Sequence, residues 1–234
     1  MPFWSRTRRP RTNVPELAPL VHAWSLSKRH HVWSPRASDK EISRAEDLLG
    51  RRLPTTLRAV YEMRNGLGLV GGNLNFLPLE FPDEGGLSLI DLSSKLREWN
   101  WKVPEELLIF GDDGGDSEFG LWLPRRGATV DDCPVIELCE TEAMAIAGTG
   151  LCNFLKGRTA FYLLAEEAPA KSLDALGLPV ELRTDVLYDD DFSRIIQWAD
   201  PTIPDPLPDP FERGVTVEEL RSRFNSPEPP RVGG

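Results

Sequence analysis

The fold is decided by residues 42–66, which read ISRAEDLLGRRLPTTLRAVYEMRNG. Apolar residues recur at helical intervals through the first part of this stretch, and Gly50 then provides a stop signal. Pro54 restarts the chain because proline suits the first turn of a helix, and Asn65-Gly66 ends the second apolar face. The stretch therefore predicts two short helices joined by a tight link.

Upstream of these helices the sequence is basic. Ser38 and Glu41 have the spacing of a capping box, so the first helix is expected to begin at Ser38. Residues 1–36 contain seven Arg and Lys residues against the single acid Glu16, which leaves residues 37–234 with a net charge near −16. This arm lacks clear periodicity, although a few apolar residues are expected to pack as a short helix or strand: Val21, Trp24 and Leu26. Its three histidines are interpreted as parts of a solvated tail.

Downstream, the pattern changes to strands. Two apolar runs, 107–110 and 119–123, flank the acidic, glycine-rich segment 111–116 and predict a β-hairpin. Further strands are expected at 74–79, 135–138 and 143–147, a helix or an irregular connection at 87–101, and further helices within 149–164 and 191–199. Helices followed by strands and a closing helix indicate an α+β fold. A proline-rich stretch from Pro201 to Pro210 favours an extended, polyproline-like segment, and Thr216 with Glu219 caps a last short helix.

Composition excludes several classes of function. No stretch of the sequence approaches the length of a membrane span, and no signal peptide is apparent, so a cytoplasmic location is expected. An acidic body repels nucleic acids and anionic membranes and attracts cationic partners. Cys133, Cys139 and Cys152 suit a reducing compartment and are interpreted as small core residues.

Four acidic residues of the hairpin are the first candidate site: Asp112, Asp113, Asp116 and Glu118. Close carboxylates bind calcium or share a proton in acid–base catalysis, but their spacing does not match a calcium loop. Two other interpretations of these residues are open. They form a tight turn, which Asp and Gly favour, or they form a rim that contacts basic side chains of a protein partner. Trp99 and Trp101 are a second candidate contact, because tryptophan is favoured at interface hot spots, although core packing is the default interpretation of such residues.

Enzymatic motifs are weak. Residues 66–71 match the dinucleotide fingerprint G-x-G-x-x-G, but they follow a helix and precede a strand, which is the reverse of the order that phosphate binding requires, so a flexible loop is expected. The sequence has no nucleophile elbow and no phosphate-binding P-loop. We therefore expect no enzymatic activity, no metal and no cofactor.

The same segments carry a family resemblance. Residues 42–66 resemble the opening of the SUKH superfamily, which includes the yeast cell-wall-assembly regulator and many bacterial immunity proteins. The family's motif of Leu-Gly, Leu-Pro, an aromatic and Asn-Gly is matched by Leu49-Gly50, Leu53-Pro54, Tyr61 and Asn65-Gly66. Residues 107–123 and 144–157 are similar to its later signatures, although Gly150 and Leu151 stand where the closing element usually has Ser and Phe.

The resemblance implies a central, mostly antiparallel sheet and no enzymatic activity. It divides the chain into a basic arm (1–36), a SUKH-like domain (37–165) and a C-terminal extension (166–234). Gly50, Pro54, Asn65 and Gly66 would shape the helices, and Gly111, Gly114 and Gly115 would let the hairpin turn. In the bacterial branch, members are usually immunity proteins that neutralise a toxin encoded beside them, and many of these toxins are cationic nucleases. The alternative is a regulatory scaffold that recruits partners through the domain and the proline-rich stretch.

Overall fold

Among the residues that the structure describes, seven strands form one antiparallel sheet in which each strand pairs with the next along the chain. This computed structural model describes residues 12–27, 31–69, 72–80, 87–99, 101–123, 133–139, 143–183, 189–203 and 214–224. The strands are β1 (Val32–Trp33), β2 (Leu67–Leu69), β3 (Leu74–Phe76), β4 (Leu107–Asp112), β5 (Ser117–Trp122), β6 (Val135–Cys139) and β7 (Met144–Gly148). The α+β class expected from the sequence is confirmed.

Eight α-helices are present in the described ranges, together with a 3-10 turn at Val180–Leu182. The helices are α1 (Leu17–Leu26), α2 (Asp39–Leu49), α3 (Thr55–Met63), α4 (Leu89–Glu98), α5 (Leu151–Ala165), α6 (Ala170–Leu176), α7 (Asp189–Ala199) and α8 (Val217–Phe224). No helix among the residues described has the length and apolar character needed to cross a membrane. The proline-rich stretch lies mostly outside the described residues, because residues 204–213 are not described.

The two predicted helices are α2 and α3, and their ends are set by local chemistry. Ser38 and Glu41 form both hydrogen bonds of the capping box at the start of α2. Gly50 ends α2 with a φ of 64°, a left-handed conformation that a residue with a Cβ adopts only at a cost. Pro54 directly precedes α3, where its fixed φ suits the entry into a helix.

Asn65 and Gly66 join these helices to the sheet. The Asn65 side-chain oxygen accepts a hydrogen bond from the Leu79 amide at 2.8 Å, and the Asn65 amide donates to the Pro35 carbonyl at 2.7 Å. Gly66 has a φ of 89°, and a Cβ there would lie 3.2 Å from the Pro78 nitrogen. This dipeptide therefore connects two chain segments that are distant in sequence.

The expected loop at residues 66–71 is wrong over the part that the structure describes. Leu67–Leu69 is strand β2, which pairs with β1 on one side and with β3 on the other. Leu67 and Leu69 are buried while Gly68 between them is only partly so, which is the alternation of a half-buried strand. Burial of the two leucines on the sheet outweighs the flexibility that the flanking glycines suggest.

The sheet has two apolar faces. On the first, Phe154 of α5 packs against Phe110 and Phe119, with ring centroids 6.1 and 4.9 Å apart. A second, separate cluster covers the opposite face and combines residues of α4 with residues of β4 to β7 and a single fully buried residue of α8, Leu220.

The N- and C-terminal segments pack together beside the first face. Leu20 and Trp24 of α1 are buried in the first-face core with Leu173 of α6, and α7 packs on α5. His31 is also buried, with a ring nitrogen 2.8 Å from the Ser27 hydroxyl, so the interpretation of this histidine as part of a solvated tail is wrong. The His31 ring packs against Trp33 with ring centroids 5.3 Å apart, and Trp33 in turn lies 6.3 Å from Trp24 of α1.

The three cysteines do not behave alike. Cys133 and Cys139 are buried, as expected, whereas Cys152 is only half-buried, and all three are free thiols. The expectation of three core residues is therefore met by two of them.

Candidate protein-binding site

The four predicted acids lie on the connection between β4 and β5. Asp112 is the last residue of β4 and is paired directly with Glu118 of β5, so their side chains project from the same face of the sheet. Asp116 is exposed at the tip of the turn. The hairpin that the sequence predicts thus places all four carboxylates at one end of the sheet.

Two of these carboxylates hold the turn together. The Asp112 Oδ1 atom accepts hydrogen bonds from the Gly114 amide at 2.8 Å and from the Asn75 side chain at 2.7 Å. The Asp113 Oδ1 atom accepts from the Gly115 amide at 2.9 Å and from the Ser117 amide at 3.2 Å. Aspartates bonded to the backbone two residues onward are typical of tight turns. These bonds fix the orientation of both carboxylates.

The three glycines of this region have different surroundings. Gly114 takes the positive φ of the turn, 75°, and a Cβ there would lie 2.6 Å from the Gly72 carbonyl oxygen. Gly111 lies inside β4, where a Cβ would collide with the Asn75 carbonyl oxygen of β3. Gly115 has only ordinary contacts with Asp113. Two of the three therefore let the hairpin approach neighbouring backbone closely.

Glu118 is the electrostatically unusual member of the group. Its burial, and after that the nearby charges of Asp112 and Asp113, raises the pKa of the Glu118 carboxyl to about 7. Its Oε2 atom is buried and has no hydrogen-bond partner within the part of the chain that the structure describes. Near neutral pH this carboxyl is therefore divided between its charged and neutral forms.

None of the four carboxylates forms a salt bridge with a described residue, although salt bridges occur elsewhere on the protein. Across the described ranges, no group of three His, Cys, Asp or Glu side chains is arranged to hold a metal ion. Within the described residues, the turn thus presents negative charge that no salt bridge neutralises, and backbone hydrogen bonds orient two of its carboxylates. Such a surface attracts cationic side chains.

The two candidate tryptophans lie elsewhere. Trp99 follows α4 and is 57% exposed, and Trp101 is half-buried against the second-face cluster. Both precede the start of β4, whereas the acidic turn begins at its last residue, Asp112. Six extended residues separate the two places by about 17 Å. The predicted residues therefore form two contact surfaces, an acidic one and an aromatic one, rather than one.

Two contacts in the structure are not predicted by the sequence patterns. Arg158 of α5 is buried, its guanidinium pairs with Glu137 of β6 at 2.5 Å, and it lies over the rings of Phe119 and Phe192 at 5.0 and 4.9 Å. The helix that contains it was predicted, but a single arginine in an apolar stretch does not reveal a partner 21 positions away.

The second missed feature is the position of α8. Its capping box was predicted, and the hydroxyl of Thr216 does accept from the Glu219 amide at 3.2 Å. What the sequence did not indicate is that Leu220 is fully buried on the second face of the sheet and that Arg221 pairs with Glu106. The spacing of Val217, Leu220 and Phe224 was the available signal.

Two helices followed by an antiparallel meander with a helix packed on one face define a small α+β domain class. Residues 36–145 match the SMI1 / KNR4 family (SUKH-1). This part of the chain therefore belongs to the SUKH superfamily, as the resemblance indicated. Domains of this family have protein-binding roles, immunity among them, and are generally non-catalytic. No curated protein matches the chain.

Proposed function

We propose that this chain is an immunity-type protein, which acts in the cytoplasm and neutralises a cognate toxin by binding a cationic surface of it, such as that of a nuclease domain. The observation that carries the proposal is the group of four carboxylates on the β4–β5 turn without a salt bridge to any described residue. Family membership supports a protein partner, and the strongly acidic body supports a cationic one.

The turn is organised before a partner arrives. Hydrogen bonds from backbone amides already orient the carboxylates of Asp112 and Asp113. Binding of a partner therefore costs little conformational entropy at these side chains. Asp116 is the most accessible of the four and the natural first contact for an arginine or lysine. Preorganised charge of this kind raises the association rate and sets specificity.

Glu118 makes the interaction sensitive to pH. Its pKa of about 7 in the free protein falls when a cation binds beside it, because a nearby positive charge favours the ionised carboxylate. Binding therefore releases protons near neutral pH. We expect affinity to increase as the pH rises from about 6 to about 8, with the opposite trend contradicting a role for Glu118.

The test begins with the genes beside the one that encodes this chain. The product of any large upstream reading frame is expressed with and without this protein, and growth is scored. Neutralisation that requires co-expression, and a complex that weakens in high salt, are the expected results. A harmless neighbour would remove the immunity proposal and leave the regulatory scaffold, in which deletion of residues 200–234 abolishes binding, as the working hypothesis.

Point variants then test the turn. Asp116→Asn combined with Glu118→Gln removes two carboxylates without removing backbone bonds, and we expect at least a tenfold loss of affinity, since coupled charge pairs at interfaces contribute about 1.5 kcal/mol or more. Glu181→Gln is the matched control, because Glu181 is an exposed acid outside the sheet. Equal affinities for the three proteins would show that the partner binds elsewhere.

A further inference from the structure

The second face of the sheet is closed by two helices of different origin. Leu92 and Leu96 of α4 pack there with Leu107 and Ile109 of β4. The same apolar cluster includes residues of β5, β6 and β7, and further contributions come from Leu77, Val103 and α8. The sheet residues of this cluster that lie on β5 to β7 are Trp122, Ile136, Leu138, Met144 and Ile146. With the exception of Ile146, they belong to the part of the chain that matches the SUKH family.

Helix α8 lies on this face in the manner of a peptide bound in a groove. Leu220 is fully buried, and Val217 and Phe224 are partly buried against the same cluster. These three residues, spaced three and four positions apart, share one side of a helix. A short amphipathic helix that inserts such a set of anchors is a common mode of peptide recognition.

Polar contacts fix the direction of α8. The Arg221 guanidinium binds the Glu106 carboxylate through two hydrogen bonds, at 2.8 and 3.2 Å. The Val215 amide donates to the Met144 carbonyl oxygen at 2.7 Å, at the edge strand of the sheet. The groove thus favours a cationic side chain next to the buried Leu220. It also accepts a hydrogen bond from the main chain of the residues that precede α8.

An eight-residue helix has little stability of its own, so α8 is helical because it is docked. Glu106, by contrast, directly precedes β4, and its carbonyl oxygen accepts a hydrogen bond from the Leu123 amide at 2.8 Å, so its main chain is held by contacts other than those with α8. The receptor side of this contact is therefore built by the SUKH domain, and the ligand side by a short segment at the far end of the chain.

We propose that this face is a binding groove for an amphipathic helix of a protein partner, and that α8 occupies it until such a helix displaces it. The partner helix presents apolar residues at the positions equivalent to Val217, Leu220 and Phe224, and an arginine at the position equivalent to Arg221. Glu118 of the acidic turn pairs with Leu138 of this face, so the groove adjoins the site of the proposed function at that residue, but its test needs no toxin.

The experiment measures binding of a fluorescein-labelled peptide of residues 214–224 to the full-length chain by fluorescence anisotropy. The wild-type chain binds the peptide weakly, because tethered α8 competes at an effective concentration on the order of millimolar. Leu220→Asp releases α8, and we expect peptide affinity to increase at least tenfold. Leu48→Asp makes the same change at a site that is 59% exposed on α2, and it should leave peptide binding at the wild-type level.

A second variant provides an independent test of the same inference. Arg221→Glu places a negative charge beside Glu106 at an exposed position, so it weakens α8 without burying a charge, and it should also increase peptide affinity. If neither variant, shown by circular dichroism to be folded, binds the peptide more tightly than the wild-type chain, α8 is a fixed part of the fold and the inference is overturned.

The recognition pattern is tested with a designed helical peptide. It retains only the residues equivalent to Val217, Leu220, Arg221 and Phe224 on an otherwise unrelated sequence. We expect it to compete with the labelled peptide for the Leu220→Asp chain, and a version with Asp in place of the central leucine to fail. A designed peptide that does not compete would overturn the proposed class of partner.

Discussion

Helices α5 and α8 lie on opposite faces of the sheet and are anchored to it very differently. On the first face, the long helix α5 follows β7 directly and inserts Phe154 between two strand aromatics, while Arg158 pairs with the sheet below it. On the second face, α8 contributes one fully buried side chain and arrives from a distant part of the chain. We therefore expect Leu220 to be fully buried without belonging to the cooperative core, because a short docked helix can leave its site without unfolding the sheet.

The largest expected effect is on the first face. Phe154→Ala removes a ring that is 1% exposed and touches two other rings, so we expect a loss of about 3–5 kcal/mol in the free energy of unfolding. Urea denaturation followed by circular dichroism measures it. The control Leu48→Ala removes an exposed side chain and should change stability by less than about 0.5 kcal/mol. A loss of similar size in both variants would show that Phe154 is not a core anchor.

Next is the buried ion pair on the same face. Arg158→Met leaves Glu137 beneath α5 without its partner, and we expect a loss of about 3 kcal/mol, because an uncompensated buried charge is costly. Replacing Glu137 as well, by leucine, should restore most of this stability. If the double variant is as unstable as the single one, the contribution of Arg158 is packing against Phe119 and Phe192 rather than charge.

The second face should respond less strongly. Leu220→Ala is expected to cost only about 1–2 kcal/mol, below the usual range for a buried leucine, because α8 can detach and limit the loss. Amide hydrogen exchange should accelerate across 217–224 while the exchange of β5 and β6 stays near the wild-type rate. A loss of stability as large as that of Phe154→Ala, with faster exchange throughout the sheet, would place both faces in one cooperative unit.

The smallest effect concerns the acidic turn and depends on pH. Between the ordinary pKa of 4.5 and the folded value of about 7, Glu118 binds more protons in the folded than in the unfolded chain. Stability is therefore lost as the pH rises through this window. Glu118→Gln should remove this slope and add about 1 kcal/mol at pH 8, after allowance for the partial exposure of the carboxyl.

Unfolding in urea at pH 5 and pH 8 measures this slope for the wild-type chain and the variant. Glu118→Ala provides the control, because it removes the same carboxyl together with its packing and should lose the slope while lowering stability at both pH values. A slope that persists in both variants would assign the pH dependence to another group.

Much of the candidate site was predictable because its parts are neighbours in sequence. Four acids within seven residues must lie close together, and a segment of Asp and Gly between two apolar runs predicts the turn that Gly114 makes. The raised pKa of Glu118 was not predictable. It depends on burial, which the register of β5 between β4 and β6 produces by placing Glu118 between Asp112 and Leu138.

The sequence by itself determined the features that depend on contacts between residues a few positions apart. The capping box at Ser38, the helix stop at Gly50 and the cap at Thr216 are all satisfied within one helical turn, so local patterns predict them. Only the tertiary structure decided which elements meet. Arg158 reaches Glu137, and Leu220 reaches the second face, because burial of apolar surface brings distant segments together. This driving force is non-directional, so a local pattern such as the spacing of apolar residues in α8 marks a face to be buried but not the surface that buries it.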